Sequence, residues 1–141
     1  TRSAVLCGIG ISSSDVPILF ELFKRYKLLS NQQAFELQNK FRTIDLSEIA
    51  TPLFNLNTAY LYPVPKNGLM DKFVRGVKFD PGSSVWDMYD QKNYSLIESR
   101  VKSEISATYL CYKNIIEESR RLKSKEGGLK KLKKQLENVS S

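Results

Sequence analysis

The feature that most constrains this chain is its final third. From about Asn93 onward, Ile97, Val101, Ile105, Thr108, Tyr112, Ile115 and Leu122 fall mainly three, four or seven residues apart, the spacing of one helical face. Past Gly127-Gly128 the pattern resumes with Leu129, Leu132, Leu136 and Val139 in a lysine-rich background. A helix from Tyr94 to Gly127 would be about 50 Å long, and one reaching Val139 about 68 Å, at ~1.5 Å per residue. A compact domain of 141 residues has a radius of gyration of roughly 14 Å and a diameter of roughly 37 Å. Either helix outreaches such a body. The segment is therefore expected to project, or to hinge at Gly127-Gly128, where each glycine costs about 1 kcal/mol against alanine. Counting in sevens from Tyr94 gives Val101, Thr108, Ile115, Leu122, Leu129 and Leu136, so one phase spans the glycines. The companion positions include Glu118 and Lys125, which argues against a continuous coiled-coil seam there.

Charge follows the same division. Arg120, Arg121, Lys123, Lys125, Lys130, Lys131, Lys133 and Lys134 supply eight cations against Glu126 and Glu137, a net of +6 out of the chain's +7. The rest of the chain, with 14 basic and 13 acidic residues, is nearly neutral. A basic amphipathic helix of this kind suits a docking segment, an acidic protein surface, or phosphate contact with nucleic acid or anionic lipid. No aromatic residue follows Tyr112, so the tail lacks a platform for stacking bases.

The residue inventory narrows the chemistry. There is no histidine, which removes Ser-His-Asp triads, Cys-His pairs and histidine zinc sites. Cys7 and Cys111 form no C-x-x-C pair and sit among apolar neighbours, so both are expected to be buried free thiols in a reducing compartment. Asp87 and Asp90, beside Trp86 and Tyr89, are the nearest approach to a carboxylate pair, but N-capping or surface placement accounts for them equally well. Gly8-x-Gly10 lacks the rest of a nucleotide fingerprint. Arg100-x-x-Ser103 and Arg121-x-x-Ser124 match basophilic kinase sites, a pattern common by chance. No catalytic residue, cofactor or metal site is read from the sequence. No apolar run approaches the roughly 18–20 residues of a membrane span, and no signal-peptide pattern is visible. The first methionine is Met70, which reads as a piece or processed product of a longer chain.

Upstream, several short elements are expected. Ala4–Ile11 reads as a buried strand or packed arm. Ser12–Asp15 offers cap oxygens to a helix over about 15–29, with Pro17 in its first turn. Ser30-x-x-Gln33 has the form of a capping box opening a second helix to about Arg42, and Asp45-x-x-Glu48 opens a third over 46–51, ending before Pro52. Tyr62–Gly68, with two prolines and Asn67-Gly68, reads as a turn region; Phe73–Phe79 then reads as a strand in a small β-hairpin. Three helices followed by a hairpin have the order of a winged-helix unit, whose third helix would enter the major groove. Here that helix carries Asp45, Ser47 and Glu48 and no cation, which suits a protein partner better than DNA.

The resulting expectation is a mainly helical α+β chain: a small mixed body over 1–92 and a long basic amphipathic helix over 93–141. Its expected role is a non-enzymatic interaction module, a subunit or adaptor of an intracellular assembly in the cytoplasm or nucleus. Contact with a protein partner, or with a second copy, is expected through Leu122, Leu129, Leu132, Leu136 and Val139. The rival is a nucleic-acid-binding domain whose basic tail meets phosphates.

Overall fold

The computed structural model describes residues 5–54 and 62–139, with the backbone alone over 131–139. The fold is α+β and mainly helical. Strand β1 (Val5–Gly8) leads through helices α1 (Asp15–Arg25) and α2 (Asn31–Lys40) to strand β2 (Arg42–Asp45). Helix α3 (Leu46–Ile49) follows directly and runs into a 3-10 turn, Thr51–Leu53. After the prolines come α4 (Lys66–Phe73), α5 (Ser84–Asp90) and the long α6 (Tyr94–Val139).

The two strands pair in parallel, Val5 with Arg42 through Gly8 with Asp45. Parallel neighbours need a long crossover, and α1 and α2 supply it. Strand alternation divides the interior. Leu6 turns toward a small core of Val16, Phe20 and Ala34, where Phe20 meets Phe23 and Phe41 edge-on at 5.9 and 5.7 Å. Ile44 turns toward the larger core, built from α3, α4 and α6 around Leu46, Leu69 and Cys111.

The helix boundaries follow local chemistry. Ser30 and Gln33 close the expected capping box reciprocally, at 3.2 and 2.9 Å. α1 is shorter than its apolar spacing suggests. Lys27 takes a positive φ of 55°, and the Leu28 N–H donates to the Phe23 carbonyl, which wraps the helix end after Arg25. The serines before α1 do not cap it: the Ser14 hydroxyl donates to the Gly10 carbonyl at 2.8 Å instead. α2 ends at Lys40, and Arg42 belongs to β2.

The expected hairpin is replaced by other structure. Phe73 ends α4, residues 74–79 form no strand, and the sheet of the described residues is the parallel β1–β2 pair. Asn67-Gly68, expected as a turn, lies inside α4. Leu69, Met70 and Phe73 are all buried in the larger core, and that burial outweighs the turn preference of the dipeptide. Gly68 also allows a close approach: a Cβ there would meet Val64 Cγ1 at 3.3 Å. The apolar stretch over 53–62 falls largely outside the described residues.

Asp45 ties the two halves together. It is 3% exposed. Its carboxylate accepts the Gly10, Ser12 and Ser47 N–H groups at 2.8, 2.9 and 3.0 Å. One side chain thus caps α3 and holds the loop between β1 and α1. Asp45→Ala orphans those donors, and we expect it to destabilise the chain by about 3 kcal/mol in urea unfolding, with Asp45→Asn recovering part of the loss.

Candidate interaction surface

α6 meets the body along one face. Ala107, Cys111 and Ile115, four residues apart, are buried against α4 and the turn before it. Val101 and Ile105, which share the apolar spacing, are exposed. The face that packs is the one with small residues, because Ala107 and Cys111 let α4 approach closely. Asn114 Nδ2 donates to the Phe73 carbonyl at 2.6 Å and fixes the register. Nearer the start of α6, Arg100 donates to the carbonyls of Asp80 and Pro81 at 2.7 and 3.3 Å and pairs with Glu104 at 3.2 Å. Lys66 reaches the same Glu104 at 3.2 Å, so α4, the turn over 80–83 and α6 share one ionic knot.

Beyond the body the grip ends. Cys111 is 0% and Ile115 2% exposed, whereas Leu122 is 41% and Leu129 67% exposed. Every residue from Arg120 to Lys130 is exposed. Ile115, Leu122 and Leu129 are seven apart, so the uncovered leucines continue the face that the body covers. The helix does not hinge at Gly127-Gly128: α6 is continuous to Val139, and both glycines hold helical backbone with open space around them. It therefore projects. Leu132, Leu136 and Val139 lie on the same helix backbone, with side chains outside the described residues.

The basic residues divide into paired and unpaired. Arg121 chelates Glu118 at 2.6 and 2.9 Å. That hydrogen bond holds the Glu118 carboxyl below its usual range and raises the guanidinium of Arg121. Lys130 pairs with Glu126 at 2.7 Å. Among the described residues Arg120, Lys123 and Lys125 have no ion-pair partner. The side chains of Lys131, Lys133 and Lys134 lie outside the described residues.

The thiols differ from each other. Cys111 is buried and free, as expected; Cys7 is free but exposed. It shares the strand face of Ile44 and lines an open groove of about 540 Å³ against α6, with Ile9, Ile11, Ile105 and Tyr109. Burial pushes the Cys111 thiol up to about 11, with Cys7 adding to the shift. Partial burial, then the Asp45 carboxylate, raises Cys7. Asp87 and Asp90 sit on α5, which buries none of its residues. No group of three or more metal-ligating side chains occurs among the described residues, and no helix there is long and apolar enough to cross a membrane. Comparison with protein-family models, curated proteins and solved structures finds no match.

Three outcomes follow. In a thiol-disulfide exchange assay Cys7 should react in the folded chain, and Cys111 only after unfolding. The Cys111 proton is retained to about pH 11 in the folded state and lost near the ordinary thiol value of 9.0 once unfolded. Stability from this group is thus complete below pH 9.0 and lost as pH rises toward 11. The urea midpoint of the wild type, referenced to Cys111→Ala, should fall across that window. Replacing Gly127 and Gly128 by alanine should raise helical ellipticity and stabilise the projecting segment by roughly 1 kcal/mol per site.

Proposed function

We propose that this chain is a non-enzymatic protein–protein interaction module, a subunit or adaptor of a larger intracellular assembly. It contacts a partner, or a second copy, through the projecting end of α6. The observation that supports this reading is the rising exposure along one seam, from Ile115 at 2% to Leu129 at 67%. Fully burying such a side chain gains roughly 1.5–3 kcal/mol, so a row of leucines on a projecting rod favours association. Leu122 and Leu129 contribute to that row, and Leu132, Leu136 and Val139 extend it by sequence spacing. The flanking lysines would raise the association rate and select partners more than they add affinity.

The unpaired Lys123 and Lys125 also favour a second reading, contact with the phosphates of nucleic acid. Two measurements separate the readings. Leu132→Asp should abolish association in light scattering while leaving the near-ultraviolet circular dichroism of the body unchanged; an unaltered assembly state refutes the seam. Titration of duplex oligonucleotides at two salt concentrations should give a flat response. A log–log slope near −5, about six phosphate contacts at −0.9 each, would instead support the nucleic-acid reading.

A further inference from the structure

A second uncovered surface lies at the opposite end of α6. α5 buries none of its seven residues. Trp86 is 71% exposed, and Tyr89 and Tyr94 are exposed beside it, packed edge-to-face with ring centroids 5.8 Å apart. Asp87 and Asp90 lie on the same short helix, and neither has an ion-pair partner among the described residues. Residues 80–98 carry four carboxylates and one lysine. Arg100, which donates to Ser84 on α5, is engaged by the carbonyls of Asp80 and Pro81 and by Glu104. The surface is aromatic and acidic, and it holds the chain's single tryptophan.

We propose that this α5 surface is the docking site for the projecting end of α6 from a second copy of the chain. The inference rests on the tail being the contact segment, as proposed above, and names what it contacts. Chemistry matches at both ends. The tail offers exposed Leu122 and Leu129 with Lys123 and Lys125 unpaired; the α5 surface offers aromatic rings and unpaired carboxylates. Ammonium groups over Trp and Tyr faces add cation–π attraction to the ion pairs. Geometry excludes the tail of the same molecule. α6 is one continuous helix, and Leu122 to Leu129 lie about 42–53 Å along it from Tyr94 at ~1.5 Å per residue. Each copy has one tail and one α5 surface on the same rod. Two rods laid antiparallel satisfy both contacts at once and close a symmetric dimer.

The experiment uses the full chain and its own tryptophan. Light scattering at about 0.1 M salt should show a dimer that weakens at higher salt, where charges at this range are screened. Dilution through the dissociation should shift Trp86 emission to the red as the indole returns to water. Trp86→Ala, and separately Asp87→Lys with Asp90→Lys, should each weaken the dimer at least about tenfold. None of these side chains is buried, and far-ultraviolet circular dichroism checks that the variants fold. Adding Lys123→Glu and Lys125→Glu to the aspartate double variant should restore the dimer, because charge is then exchanged on both sides of each contact. A monomer at every concentration overturns the inference. A dimer that Leu132→Asp abolishes, while the α5 variants and Trp86 emission leave it unmoved, overturns the α5 site and leaves the tail reading standing. A dimer indifferent to both sets of variants overturns both.

Discussion

What the molecule presents to others depends on how the body grips α6. The grip is narrow. Ala107, Cys111 and Ile115 form one buried strip, and Arg100, Glu104 and Asn114 anchor its flanks. Because Ala107 and Cys111 are small, α4 sits close to the helix, and Leu69, Met70 and Phe73 complete a core around them. The grip holds the rod near its first half and leaves Arg120 to Lys130 exposed. An α-helix that continues into solvent gains nothing from tertiary packing there and must rely on propensity, side-chain pairs or a partner. The Glu118–Arg121 and Glu126–Lys130 pairs supply a few tenths of a kcal/mol each. Gly127 and Gly128 act in the opposite direction and more strongly. A bound surface over Leu122 and Leu129 would resolve that imbalance.

Asp45 plays the corresponding part within the body. A two-stranded parallel sheet of four-residue strands has little stability of its own. Its carboxylate stands at the end of β2, caps α3 and gathers the loop that leaves β1. The smaller core of α1 and α2 is thereby joined to the larger core that holds α6. The chain from β1 to α6 is consequently linked by one buried carboxylate whose partners are backbone amides, not cations.

Much of this architecture is legible in local sequence. The Ser30–Gln33 capping box, the cap at Asp45, the stop near Pro52 and the long final helix all rest on interactions within a few residues. What is not legible depends on distant partners. Nothing near Phe73–Phe79 says that Phe73 will complete a helix under Cys111 and Ile115, so its alternation suggests a strand. Nothing near Val5–Gly8 announces Arg42–Asp45 as its parallel neighbour, because a crossover of two helices separates them. Cys7 looks buried from its apolar neighbours, yet it lines an open groove and stays exposed. On α6 the larger apolar residues Val101 and Ile105 dominate the pattern, whereas packing selects the smaller Ala107 and Cys111.

The leucine seam of α6 lies past the grip, and α5, held at the start of the rod by Arg100, buries none of its residues. Their chemistries differ in the sense that association requires: rings and carboxylates at one end, leucines and ammonium groups at the other. Like surfaces would repel or slide; unlike surfaces set a direction. The distance between them, fixed by an unbroken helix, prevents either from satisfying the other within one molecule. Rigidity therefore has a thermodynamic consequence. A hinge at Gly127-Gly128 would have let the tail fold back and bury its leucines on its own body, whereas the continuous helix keeps them available to another surface.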